Sequence, residues 1–185
     1  MIPYIILLLV VIVVLIIFKF KSIKQDFEII LTKIHDGENE IDELLNQKTN
    51  LMEDICENIN SLSENPTFPS IKQLQKKKLD SISYDRDLNN YYSDLKEYLF
   101  VNKSYIPDEE TQNKINTLNK VEMDLEATKK FYNDNSNDFN SLIDSFPAKI
   151  IARKKGYDFK FTYSFDKEEF FEILKQSDKK KKSDA

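Results

Sequence analysis

The residue types best suited to nucleophilic or metal chemistry are scarce in this 185-residue chain. His35 is its sole histidine and Cys56 its sole cysteine. A cysteine nucleophile needs a base such as histidine beside it, and a zinc site draws most of its ligands from these two residue types. On one continuous helix, His35 and Cys56 would lie about 31 Å apart. The sequence therefore predicts no catalytic dyad, no bound metal and no intrachain disulfide.

The acidic residues and glycines also lack the patterns that bind metals or phosphates. Carboxylates cluster over 36–43 and 108–110, but a di-iron bundle needs two Glu-x-x-His motifs, which one histidine cannot supply. Gly37 and Gly156 are the only glycines, so the chain has no glycine-rich phosphate loop. We interpret the carboxylates as solvated helix faces and helix starts, and we expect no cofactor and no enzymatic activity.

The charge distribution indicates which kinds of partner to expect. A formal net charge of −5 gives no argument for nucleic acid, which favours basic patches. The basic clusters are Lys76–Lys78 and, near the C-terminus, Lys179–Lys182. The latter either touches anionic lipid or serves as a solubilising tail.

Residues 2–18 are uncharged and almost wholly apolar. As a helix they would span about 25 Å, near the lower limit for crossing a bilayer. The start lacks the basic residues of a signal peptide, and the exit lacks small residues at a cleavage site. We therefore predict a retained single-pass anchor in the cell membrane, over residues 1–20. Because Lys19, Lys21 and Lys24 follow this run and no basic residue precedes it, the positive-inside rule favours a cytoplasmic body.

The rest of the chain is rich in Lys, Glu, Leu and Ile and poor in glycine and proline, a composition typical of helices. The patterns predict helices over 23–62, continuous with the anchor, over 71–100, and from Asp108 to about Ser145, with a loop at 61–70. The first helix has a heptad seam interrupted by Lys48 and Glu38. Its apolar members are Phe27, Ile30, Ile34, Ile41, Leu45, Met52, Ile55, Ile59 and Leu62. The predicted fold class is all-α: an N-terminal transmembrane helix followed by an antiparallel helical bundle of three to four long helices within residues 21–166.

The third predicted helix has the most regular pattern. Every seventh position is apolar or aromatic: Leu118, Leu125, Tyr132, Phe139 and Phe146. That period predicts one buried stripe, and Pro147 ends the helix. Asn133 and Asn140 each follow an aromatic member of the stripe. They could hydrogen-bond across helices or to a loop backbone, lie exposed to solvent, or contact a partner, and we favour hydrogen bonding.

The C-terminal region differs in character. Ile150 to Ala152 could begin a short turn or helix, and Gly156 marks a sharp turn. Residues 157–165 alternate aromatic and polar side chains, which suits either a short strand or an extended aromatic clamp. We predict that residues 167–185 form a charged, disordered tail, with a frayed helix over 167–175.

The third helix and its exit resemble the LemA family of bacterial membrane-anchored helical proteins. The residues that carry the resemblance are Tyr132-Asn133, Phe139-Asn140 and Phe146-Pro147, followed by Ile150-Ile151-Ala152 and Gly156-Tyr157. At Ser136 the chain departs from the family pattern, which usually has an aliphatic residue there. The resemblance implies a helical bundle outside the membrane and no established catalytic activity.

Two functional hypotheses follow from these patterns. In the first, the chain is a non-enzymatic scaffold or protein-interaction module of the cell envelope, of the LemA type, which meets an unknown protein partner through a groove or the segment Tyr157–Phe165. In the alternative, it is a membrane-tethered coiled coil of envelope or division machinery that oligomerises through the seam Phe27–Leu62. An enzyme would need a site of tyrosine, lysine and carboxylate side chains that the spacing does not reveal.

Overall fold

A computed structural model of the protein describes residues 2–62, 71, 74, 79–101 and 109–163. All regular secondary structure in these residues is helical. The elements are α1 (Ile2–Leu62), α2 (Ser81–Val101), α3 (Glu109–Asp144) and α4 (Ala148–Lys155). The all-α helical prediction is confirmed. The predictions for the loop after Leu62, the Asp108 cap, the frayed helix and the tail with Lys179–Lys182 lie outside the described residues.

Helix α1 is a single element of 61 residues, so the predicted continuity of the apolar run with the first helix is confirmed. Its best 18-residue window has a mean hydropathy of 3.0, and none of that window is buried in the protein. By length and composition, this part of α1 could cross a membrane. The apolar side chains from Tyr4 to Phe18 are all exposed.

Helix α2 begins later than the pattern predicted, which is a correction to the continuous helix expected over 71–100. Ile71 lies in a turn and Leu74 is helical, but Leu79 and Asp80 are not, and the long helix begins at Ser81. Asp80 acts as the N-cap, because its carboxylate accepts the Ser83 N–H at 3.0 Å. Burial works to raise the pKa of Asp80, but the hydrogen bonds from Ser83 outweigh it and hold that pKa below its ordinary value. In the sequence, the local signal for a helix start at Ser81 is the acidic residue Asp80 directly before it.

The chain divides into two compact units. The first consists of residues 1–35 and 132–185, and the second of residues 36–131. Each unit is built on a part of α1 and a part of α3.

The second unit is a three-helix bundle. Helix α3 runs antiparallel to α1, because Thr111 pairs with Asn58 and Glu122 with Lys48. Helices α1 and α2 run in the same direction, since contacts join Ser81 to Asp42 and Tyr91 to Cys56. Between these two helices in the sequence, the Ile71 N–H donates to the Glu53 carboxylate at 2.8 Å.

The core of this bundle consists of the predicted seam and stripes. Its fully or nearly fully buried apolar residues include Ile41, Leu45, Met52, Ile55, Ile59, Leu88, Tyr92, Leu95, Leu118 and Leu125. Burying such side chains is the main favourable term in folding, at about 1.5–3 kcal/mol each. The seven-residue patterns of α1 and α3 are confirmed for Ile41, Leu45, Met52, Ile55, Ile59, Leu118 and Leu125, which are all buried.

The first unit contains the start of α1, the end of α3, α4 and an extended segment over 157–163. Its core includes Ile23, Phe27, Ile34, Tyr132, Phe139 and Ile151. Of the short turn or helix predicted to begin at Ile150 to Ala152, the helix is observed as α4, and it begins two residues earlier, at Ala148. Residues 157–163 hold no strand, so of the two predicted alternatives the extended aromatic segment is the one observed.

Candidate functional site

The end of α3 brings together most of the residues that carry the family resemblance. Tyr132 and Phe139 are buried, as the stripe predicted, but Phe146 is 85% exposed. The predicted burial of Phe146 is wrong. Helix α3 ends at Asp144, so Phe146 lies outside the helix and the helical period does not determine which way it faces. Ser145 closes the last turn, since its N–H donates to the Leu142 carbonyl oxygen at 3.1 Å.

Asn140 and Asn133 hold residues 157–163 against α3. The Asn140 side chain donates to the Lys160 carbonyl oxygen and accepts the Lys160 N–H, both at 2.8 Å. Asn133 accepts the Tyr163 N–H at 2.7 Å. Both asparagines therefore bond to a loop backbone, which is one of the alternatives left open by the sequence.

The spacing of these bonds has a simple geometric basis. The two asparagines are seven residues apart on a helix, which is about 10.5 Å. Lys160 and Tyr163 are three residues apart in an extended chain, which is about 10 Å. The two repeats match, so both asparagine amides meet backbone groups on a segment that runs antiparallel to α3. We call this arrangement the asparagine clamp (Asn133 and Asn140 with Lys160 and Tyr163).

Aromatic contacts fill the space beside the clamp. The Tyr157 ring lies 5.0 Å from the Phe27 ring and 5.7 Å from the Phe139 ring, between centroids. Tyr163 packs edge-on against Tyr132 at 5.3 Å. Such ring pairs add about 0.5–1.5 kcal/mol beyond the area they bury. The segment is therefore fixed both by polar contacts and by aromatic packing.

Gly156 turns the chain from α4 into this segment. Its φ of 69° is in the left-handed region, where a Cβ is disfavoured. The Tyr157 N–H donates to the Ala152 carbonyl oxygen at 3.0 Å, and the Gly156 N–H donates to that of Arg153 at 3.3 Å. These two bonds satisfy carbonyls of the last turn of α4, as in a Schellman motif. The predicted sharp turn at Gly156 is confirmed.

A second cluster of polar residues lies inside the three-helix bundle, around Lys48, the lysine that interrupts the predicted seam of α1. Lys48 has no exposed surface. Its Nζ lies 2.5 Å from Glu122 Oε2 and donates to Asn89 Oδ1 at 2.7 Å. It also lies 4.5 Å from the centroid of the Tyr92 ring. Burial lowers the pKa of Lys48, while the paired Glu122 carboxylate opposes that shift.

A second buried lysine is paired nearby. Lys129 Nζ lies 2.8 Å from Asp85 Oδ1 and 2.9 Å from Glu126 Oε1. Burial works to lower the pKa of Lys129, but the two carboxylates outweigh it and raise the pKa. We call Lys48, Glu122, Lys129 and Asp85 the buried ion layer. The seam prediction marked Lys48 as polar but did not identify its partners on α2 and α3.

The surroundings of Lys48 and Cys56 favour structural rather than chemical roles for these two side chains. A lysine with a lowered pKa is a candidate nucleophile, but Lys48 is enclosed and its ammonium is engaged by Glu122, Asn89 and Tyr92. Cys56 is buried, and burial raises its thiol pKa to about 11, which suppresses the reactive thiolate. Among the described residues, no group of three or more His, Cys, Asp or Glu side chains is placed to hold a metal.

Over the described residues the chain is helical, and its first helix, α1, begins with a run apolar enough to span a membrane and continues into the bundle. The sequence comparison identifies the family: the model of the LemA family matches residues 37–182, and the chain belongs to the LemA family. The resemblance carried by residues 132–157 is thereby confirmed. Searches of curated proteins and of solved structures gave no match.

Proposed function

We propose that this LemA family protein is a single-pass membrane protein whose helical bundle acts as a non-enzymatic scaffold or protein-interaction module of the cell envelope. The observation that carries the proposal is the exposure of every large apolar side chain from Tyr4 to Phe18 on α1. The same helix continues without a break into the bundle.

The exposure of this run indicates that surroundings other than the chain itself cover its apolar side chains. Soluble monomers rarely expose contiguous apolar patches beyond a few hundred Å², whereas hydrocarbon solvates such side chains and a helix satisfies its own backbone groups there. Membrane insertion therefore accounts both for the composition and for the exposure of this run in the part of the chain that the structure describes. It also makes α1 a direct mechanical link between the bilayer and the bundle core.

The seam of α1 argues for the scaffold over the coiled-coil oligomer. An intermolecular coiled coil needs its seam free for another chain. Phe27, Ile34 and Ile41 are instead buried by elements of the same chain. Analytical ultracentrifugation of the full chain in detergent distinguishes the two candidates: a monomer supports the scaffold, and a stable oligomer supports the tethered coiled coil.

Anchoring is tested by adding charge to the apolar run. Replacing Val10 and Val13 by Asp places two charges where a membrane helix tolerates them poorly, at about 2.5–3.5 kcal/mol each. We expect the double variant to leave the membrane fraction on alkaline carbonate extraction, while the unmodified protein stays. The matched control is Phe100→Asp, an exposed apolar residue of α2, which should stay in the membrane. Release of the unmodified protein by carbonate would refute anchoring.

The lysines that follow the run favour a cytoplasmic bundle. The test combines Cys56→Ser with Ser183→Cys and treats intact cells with a membrane-impermeant maleimide. Labelling only after lysis would support the cytoplasmic side. Labelling of intact cells would place the bundle outside and direct the search to envelope partners.

A further inference from the structure

Two exposed apolar side chains lie at the corner between α3 and α4. Phe146 is 85% exposed and Ile150 is about half exposed. Ala148, Ile151 and Ala152 on the other face of α4 are buried. Helix α4 therefore packs against its unit with one face and presents a second, partly apolar face outward.

Helix α4 lies next to the part of α1 that follows the apolar run. Ile151, Lys155 and Tyr157 line one shallow cavity together with Lys24, Phe27 and Glu28 of α1. Lys24 lies four residues past Phe20, the last residue of the predicted anchor, which is about 6 Å along the helix. In a membrane-anchored chain, that distance corresponds to the headgroup layer, because the headgroups extend about 5–8 Å beyond each side of the hydrocarbon core.

The charge around the corner has one predominant sign. The last turn of α4 carries Arg153, Lys154 and Lys155, all exposed. Exposed lysines also flank the end of the apolar run on α1: Lys19, Lys21 and Lys24. Asp26, Glu28 and Asp158 are acidic residues of the same stretches, so they offset part of this charge, and Lys149 pairs with Asp144 at 3.6 Å. The surplus is positive, and Arg153 and Lys154 lie three and four residues past the exposed Ile150, on the same side of α4.

We propose that α4 and Phe146 form a second membrane contact that binds anionic phospholipid headgroups. This inference rests on the proposed anchoring by α1. The guanidinium of Arg153 and the ammonium groups of Lys154 and Lys155 would meet lipid phosphates, while Phe146 and Ile150 enter the interface, as apolar residues of interfacial helices do. The contact would hold the first unit close to the bilayer.

The test uses the absence of tryptophan from the sequence. Single tryptophans are placed at Phe146, at Phe18 inside the apolar run, and at Met123, which is exposed on α3 and lies about 32 Å before the end of that helix. The full-length variants are reconstituted into vesicles of phosphatidylcholine with phosphatidylglycerol that carry brominated acyl chains. Bromine quenches tryptophan near the hydrocarbon, so quenching reports depth. Ile150→Trp repeats the measurement if Phe146→Trp folds poorly.

We expect Phe146→Trp to show roughly half the quenching of Phe18→Trp, since interfacial residues reach about 5–10 Å into the headgroup boundary. Met123→Trp should show little quenching. Adding Arg153→Gln, Lys154→Gln and Lys155→Gln to Phe146→Trp should reduce its quenching toward that of Met123→Trp, and pure phosphatidylcholine should do the same.

Three results would overturn the proposal, and they are distinguishable. If Phe18→Trp is quenched but Phe146→Trp matches Met123→Trp, α4 does not dock although the anchor inserts. If Phe146→Trp is quenched equally in neutral vesicles and after the triple substitution, the contact is apolar only and recognises no anionic lipid. If Phe18→Trp itself is not quenched, the anchoring proposal fails and the second contact fails with it.

Discussion

The Asn140 side chain forms two 2.8 Å hydrogen bonds with one residue, accepting the Lys160 N–H and donating to the Lys160 carbonyl oxygen. An amide is suited to this arrangement because it carries a donor and an acceptor on one planar group. The bonds satisfy both backbone groups of Lys160, which a helix or a sheet would otherwise have to satisfy. The clamp thus lets a segment without regular secondary structure pack against α3.

Replacing Asn140 by Ala should loosen this segment. The loss of two hydrogen bonds and the exposure of unpaired backbone groups should lower the free energy of unfolding by roughly 2 kcal/mol. Chemical denaturation measures this change, and amide hydrogen exchange of residues 157–163 should rise with it. The matched control is Asn137→Ala, an exposed asparagine one helical turn earlier, which should change stability by less than about 0.5 kcal/mol. Unchanged exchange in Asn140→Ala would contradict the clamp.

Replacing Gly156 by Ala should destabilise the turn between α4 and the clamp. The space around this glycine is open, since a Cβ at this position would meet no atom of the described structure within 4 Å. The cost therefore comes from the backbone φ of 69° alone and should be about 1–2 kcal/mol. Gly156→Asn should cost less, because asparagine tolerates this conformation better. Equal stability of the glycine, alanine and asparagine variants in thermal unfolding would argue against the observed turn.

Ser136 is a site where a substitution should stabilise the protein. It has no exposed surface, and its hydroxyl has no hydrogen-bond partner among the described residues. An unsatisfied buried hydroxyl costs about 1–3 kcal/mol. Ser136→Ala should therefore raise the free energy of unfolding by about 1 kcal/mol, consistent with the aliphatic residue usual in the family at this position. The exposed Ser141→Ala is the control, and a loss of stability in Ser136→Ala would show that the hydroxyl has a partner.

The pair Lys48 and Glu122 can be tested by a double-mutant cycle. Lys48→Met leaves Glu122 without its cation. Because Glu122 is partly exposed, the free energy of unfolding should fall by about 2–3 kcal/mol, which is less than the 3–5 kcal/mol typical of a fully buried pair. Lys48→Met with Glu122→Gln should recover much of this loss. For comparison, Lys114→Met disrupts pairs with Glu110 and Asp54, whose carboxylates are both exposed, and should cost about 0.5 kcal/mol or less. An additive cycle would mean that the two charges do not interact.

Cys56 should react slowly with thiol reagents in the folded protein. Its thiol pKa of about 11, against an ordinary value of 9.0, leaves about one thiol in a thousand ionised at pH 8. Because the folded pKa is raised, this group contributes stability below pH 9 that is lost as the pH rises through 11. Mass spectrometry of maleimide labelling should show slow modification in buffer and fast modification in urea. A cysteine at exposed Ser141 in a Cys56→Ser background should label quickly in both, and fast native labelling of Cys56 would contradict its burial.

Much of this architecture follows from local periodicity in the sequence. The seven-residue repeats in α1 and α3 identify Phe27, Ile34, Leu125 and Phe139 as core residues, because a continuous helix presents such positions on one face whatever packs against it. The apolar run, the end of α3 shortly before Pro147 and the turn at Gly156 are equally local. Each depends on the chemistry of a few neighbouring residues, and the structure agrees with the predictions for them.

Other features depend on which elements meet, and only the tertiary structure decides them. Lys48 is buried because Glu122 and Asn89, more than forty residues away on α3 and α2, stabilise its charge, and no local pattern identifies that pairing. The same holds for the parallel course of α1 and α2, and for the asparagine clamp, whose partners lie 20 and 30 residues further along the chain. Phe146 is exposed because α3 ends before it. The physical reason is common to the first three: periodicity determines which face of a helix is apolar, whereas the partner of that face or of a polar group is determined by packing between segments that are distant in sequence.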